Sequence, residues 1–143
     1  MAEADKRAAL APGLTYSRTV IVTDELTPAH LRNEPIRVLS TPDMIRLIEG
    51  TAIEAVKPHL AAEQTTVGTR VDVAHLAATP VGMSVTITVE LTEVDRRRLS
   101  FKVEVRDELD EAGRGTHERF IVDGSQRLPR LQAKLDRWKS AAR

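Results

Sequence analysis

The chain reads as an α+β protein, with one long helix packed against an antiparallel β-sheet and an amphipathic helix at the C-terminus. Three observations predict this. One segment, "STPDMIRLIEGTAIEAVKPHL" (40–60), carries apolar residues at helical spacing. The half of the chain that follows is a succession of runs alternating between polar and apolar residues. Links between those runs, such as "DRRR" and "DEAGR", are short and polar, which suits antiparallel neighbours.

Residues 1–13 read as a flexible leader ending in Pro12-Gly13. "TYSRTVIVT" (Thr15–Thr23) is rich in β-branched residues and reads as the first strand. From Asp24 to Leu39 the pattern lapses, with Pro28 and Pro35 punctuating a loop or lid that has room for one helical turn. In the long helix, Thr41 is placed to cap, Pro42 suits the first helical position and Asp43 complements the positive end of the dipole. Met44, Leu47, Ile48, Ala52, Ala55 and Val56 form one stripe, with Asp43, Arg46, Glu54 and Lys57 opposite. Gly50, inside this helix, implies a close backbone approach. Pro58 marks its last turn.

Next come four strands. The first puts Val67, Thr69, Val71, Val73 and His75 on one face. The second alternates Met83, Val85, Ile87, Val89 and Leu91 with polar residues, and the third does the same with Leu99, Phe101, Val103 and Val105. "GTHERFIV" is the last. Residues 14–124 are read as the domain and 125–143 as a helical tail. Leu128, Leu131, Leu135 and Trp138 make a stripe on that tail, able to dock on the domain or on a partner.

Composition narrows the function. At 143 residues, the chain is long enough for one domain with a modest core. Twenty-one basic and 21 acidic side chains leave no net charge, so the basic excess that marks nucleic-acid or anionic-membrane partners is missing. With no cysteine, disulfides, thiolate zinc sites and cysteine nucleophiles are excluded, and a reducing, cytoplasmic setting fits. The N-terminus is too polar for a signal peptide, and no segment has the run of apolar residues a membrane helix needs. His30, His59, His75 and His117 show no metal-ligand spacing, and no phosphate-binding glycine loop or GxSxG motif occurs.

Two residues stand out. His75 falls on the inward parity of its strand, just before a turn. Glu49 lies at the edge of the apolar stripe beside Ile45 and Val56, whereas the helix's other charges keep to the far side. A partly desolvated carboxylate suits base or nucleophile duty, although a rim glutamate that reaches water or an arginine fits the same pattern. With Thr41 at the positive end of the helix, the three supply the parts of acyl transfer: a nucleophile or activated water, a proton shuttle, and donors for a developing oxyanion.

The segments "TPDMIRLIEGTAIEAVKPHL", "VGTRVDVAHLAATPVGMSVTITVEL", "RRRLSFKVEVRD" and "GRGTHER" occur in that order from about Val38 to Phe120. They resemble the hotdog-fold thioesterases of the fluoroacetyl-CoA thioesterase-like family. The resemblance implies a hotdog fold and a hydrolase for small or medium acyl-CoA thioesters. It also implies that Thr41, Glu49 and His75 form the catalytic group and that Gly68 and Arg119 belong to the substrate site. Such folds pair as homodimers, joining sheets edge to edge with active sites at the subunit interface. Coenzyme A enters as part of the substrate, with no bound cofactor and no metal. The fluoroacetyl-specific member carries an aromatic-rich lid, whereas "ELTPAHLRNEPIRVL" has no aromatic residue. That difference keeps a second class open, a non-catalytic acyl-CoA-binding or regulatory domain. A hotdog dehydratase ranks last, because no histidine follows Glu49 or Glu54 at five-residue spacing on the helix.

Overall fold

The computed structural model of the chain describes residues 10–141. The first nine residues of the expected leader lie outside that range. Leu10 packs at the margin of the core, and the Gly13 amide donates to the Leu91 carbonyl at 2.8 Å.

Five strands make one antiparallel sheet: β1 (Thr15–Ile21), β2 (Gln64–His75), β3 (Ser84–Asp95), β4 (Arg98–Arg106) and β5 (Glu111–Asp123). Their spatial order is β1-β3-β4-β5-β2, so β1 and β2 are the two edges. Helix α1 (Thr41–Val56) lies across the inner face. Met44, Ile48, Ala52, Ala55 and Val56 are buried with Val85, Ile87, Val89 and Leu91 of β3 and Leu99, Phe101, Val103 and Val105 of β4. Each larger aliphatic or aromatic side chain removed from water contributes roughly 1.5–3 kcal/mol, which is what holds helix to sheet.

Local details differ from the sequence reading, each for a physical reason. Ser40, not Thr41, caps α1. Its side chain accepts from the Asp43 amide at 3.0 Å, so Thr41 becomes the first helical residue and Pro42 the second. Leu47 is only half-buried, and the stripe is completed by Thr51, whose hydroxyl is satisfied by donating to the Leu47 carbonyl at 2.7 Å. Gly50 does meet a close approach, but from a side chain. An added Cβ would lie 2.9 Å from Arg18 Nη2, which donates to the Leu47 carbonyl. The lid region holds two short 3-10 turns, Asp24–Leu26 and Ala29–Leu31, with Arg37 paired to Asp24 at 2.8 Å.

The largest departure is in β2. Its register against β5 shifts between Gly68 and Arg70, leaving Thr69 as a β-bulge. Ahead of the bulge, Thr66 and Gly68 face α1; beyond it, Val71, Val73 and His75 do. Val67 and Thr69 therefore lie on the opposite face from the one expected.

Strand β5 begins at Glu111, four residues earlier than its sequence suggested, and the true β4–β5 link is Asp107–Asp110. Helix α2 (Gly124–Ala141) continues from β5. Its stripe remains exposed: Leu128 68%, Leu131 46%, Leu135 43% and Trp138 65%. No helix among the described residues is long and apolar enough to cross a membrane.

The cap assignment is testable by urea unfolding. Ser40→Ala is expected to cost about 1 kcal/mol of stability, whereas Thr41→Ala should stay within about 0.5 kcal/mol of the native value.

Candidate active site

With the cap supplied by Ser40, the Thr41 hydroxyl is free to turn outward. It meets His75 Nδ1 at 2.8 Å, joining the first turn of α1 to the end of β2. The other ring nitrogen, Nε2, is buried and has no hydrogen-bond partner among the described residues. Beside this pair lies a cavity of about 360 Å³ whose lining includes Leu31 and Val38 of the lid, Thr41, His75 and Leu76. No phenylalanine, tyrosine or tryptophan lines it.

Glu49 takes part in a separate cluster two turns along α1. Eight residues of helix amount to about 12 Å of axial rise, so it and Thr41 do not meet. Its Oε2 instead accepts from Arg119 Nη1 at 3.0 Å, while 39% of the Glu49 side chain stays exposed. Gly68 permits this placement, since a Cβ there would clash with that oxygen. Arg119 itself is only 3% exposed. Its Nε donates to Thr66 Oγ1 at 2.8 Å, its Nη2 to the Thr66 carbonyl at 2.9 Å, and its Nη1 also contacts His117 Nε2 at 3.2 Å.

The five residues singled out from sequence thus form two groups on one face: Thr41 with His75, and Glu49 with Gly68 and Arg119. Thr66 and His117 escaped notice. His117 was within reach of the period-2 rule, because it lies two residues before Arg119 on the same strand. Thr66 was not, because its pairing opposite Ile121 and its contact with Arg119 depend on strand register.

Burial depresses both histidines below the ordinary imidazole range. For His75 desolvation dominates, opposed by the backbone of Ala77. For His117 desolvation again leads and the Arg119 charge adds to it, against the Arg70 carbonyl and the charges of Glu49 and Glu118.

The sequence pattern of the fluoroacetyl-CoA-specific thioesterase family matches residues 22–125, a span that includes every residue of both groups. The chain belongs to that family. Among its relatives, the fluoroacetyl-CoA thioesterase of Streptantibioticus cattleyicolor is 36% identical over 129 residues, covering 86% of this chain and 90% of the relative. A solved structure of the fluoroacetyl-CoA thioesterase FlK superposes with a TM-score of 0.78 at 34% identity, over 90% of this chain and 97% of FlK. A hot-dog-like protein from Thermanaerovibrio acidaminovorans gives a TM-score of 0.78 at 22% identity, over 86% and 91% of the two chains, and supports the hotdog fold.

The histidine environments set an acid dependence. Folding favours the neutral imidazoles, so below about pH 6.5 the unfolded chain takes up protons that the folded one refuses. Stability is therefore full above that pH and lost as pH falls towards the depressed values. Urea midpoints measured between about pH 7.5 and 5 should decline, and the decline should be shallower in His117→Gln.

Proposed function

We propose that this protein is a homodimeric acyl-CoA thioesterase that hydrolyses small or medium acyl-CoA thioesters to the acid and free coenzyme A. The observation that carries the mechanism is His75: Nδ1 is tied to Thr41, and the buried Nε2 is left without a hydrogen-bond partner beside a cavity that mixes aliphatic and hydroxyl-bearing side chains. A buried polar nitrogen without a partner is costly, and a substrate sulfur or carbonyl oxygen at that position would relieve the cost.

The distance between the two groups calls for a second chain. β2 is an edge strand that carries Gly68 in its first half and His75 as its last residue. Antiparallel pairing of β2 with a second β2 about a two-fold axis at Asp72 pairs residues of the same face, and with Thr69 taken up by the bulge it sets Gly68 opposite the other chain's copy of position 75. Each site then combines Glu49, Gly68 and Arg119 of one chain with Thr41 and His75 of the other.

In such a site the Glu49 carboxylate either attacks the thioester carbonyl or draws a proton from an attacking water. The carbonyl oxygen takes up the electron pair near the positive end of α1. As the C–S bond breaks, His75 delivers the proton from Nε2 to the departing thiolate and regains one from the reacting water. That water either attacks the thioester, with its proton passing through Glu49, or cleaves the acyl–Glu49 anhydride to release the acid. Thr41 fixes the imidazole, and Arg119 fixes the carboxylate with its planar fork. The reaction as written needs no cofactor or metal. A cavity of about 360 Å³ with no phenylalanine, tyrosine or tryptophan in its lining suits a short, flexible acyl chain. The cysteine-free chain suits the reducing cytoplasm, where we place this activity.

Release of free thiol from a panel of acyl-CoAs tests the reading. Glu49→Ala and His75→Ala should each lower kcat/KM by about 10²–10⁴; native turnover in both would refute it. Mixing the two inactive variants at equal concentration tests the pairing. Random exchange rebuilds one site in half of the dimers, so activity should recover to about a quarter of native. Single-turnover hydrolysis in ¹⁸O-water tests for an anhydride: label appearing in the Glu49 carboxylate marks attack by the side chain, with the anhydride opened at the glutamyl carbon.

A further inference from the structure

We infer that His117, two residues before Arg119, is a positioning residue: its unprotonated Nε2 holds the Arg119 guanidinium in the orientation that presents Nη1 to Glu49. The inference rests on the thioesterase reading above and adds a residue to that site.

The hydrogen-bond chemistry leaves one assignment. A guanidinium only donates, so the 3.2 Å contact between Arg119 Nη1 and His117 Nε2 requires Nε2 to accept. The proton of the neutral ring is then on Nδ1, which donates to the Arg70 carbonyl at 2.7 Å. Nη1 carries two hydrogens; one goes to Glu49 Oε2 and the other to His117. Thr66 takes Nε and Nη2. Thr66 alone fixes one edge of the fork, and His117 fixes the corner that faces the carboxylate.

The ring is held in turn. His117 is fully buried and stacks on Phe101, with ring centres 6.2 Å apart and planes 28° from parallel. Its acceptor, the Arg70 carbonyl, belongs to the first residue paired beyond the bulge. A run of contacts thus leads from the bulge through His117 and Arg119 to Glu49. A protonated His117 would turn an N–H towards a cation and break the run. Burial and the Arg119 charge both oppose that protonation.

The test compares two variants in the intact enzyme. His117→Leu removes the acceptor and should lower kcat about tenfold or more while KM moves less than about threefold. His117→Gln places an amide oxygen where Nε2 stood and should restore kcat to within about threefold of native. A filler of the core would show no such recovery, because leucine and glutamine fill similar volumes. Imidazole ¹⁵N spectra of the native protein give a readout independent of turnover and of whether the leucine variant folds. Protonated Nδ1 with bare Nε2 supports the assignment, and the opposite tautomer overturns it. Native kcat in both variants also overturns it while leaving the thioesterase reading intact. A native protein that releases no thiol from any acyl-CoA defeats that reading, and the inference with it.

Discussion

A guanidinium cannot be taken out of water unless acceptors meet its edges. Arg119 is buried almost completely, and the surrounding structure is arranged around that demand. Thr66 on β2 supplies a hydroxyl and a carbonyl, His117 on β5 a ring nitrogen, and Glu49 on α1 a carboxylate. Three elements are thereby locked in register through one side chain. Gly68 completes the arrangement by giving up a side chain, since any Cβ would occupy the space of the carboxylate oxygen. The charge of Glu49 is thus fixed in place before any substrate arrives, and preorganisation of this kind is what a reacting carboxylate needs.

The second constraint is length. Eight residues of helix separate Thr41 from Glu49, and no side chain spans the resulting gap of about 12 Å. On the proposed reading, one protomer carries two incomplete halves of the chemistry. In the proposed pairing, a two-fold axis on the edge strand β2 brings the Glu49 group of one chain to the His75 group of the other. The pairing would then be part of the active site itself.

Much of the fold was legible in the sequence, because periodicity reports burial directly. The alternation of Val85, Ile87, Val89 and Leu91, and the stripe from Met44 to Val56, both appear as buried faces. Helical and strand patterning also brought Thr41, Glu49 and His75 forward, and the family resemblance added Gly68 and Arg119. Their partners were harder to see. Ser40 and Thr41 are adjacent and chemically alike, and only the chain direction at the helix entrance decides which one caps. The bulge at Thr69 broke an alternation that the residues "VGTRVDVAH" carry without a visible interruption. Thr66 and His117 lie 51 positions apart, and their meeting at Arg119 follows from strand register, which local pattern does not encode.

That bulge has a consequence for how the strand can vary. Side chains on a strand alternate strictly, so Gly68 and His75, separated by an odd interval, would ordinarily point to opposite sides of the sheet. The extra residue corrects the parity and lets both serve the same side. A lineage that lost Thr69 would keep both Gly68 and His75 in its sequence and still turn them to opposite faces of the sheet. Spacing along this strand is therefore under as much constraint as the identities of the residues it carries.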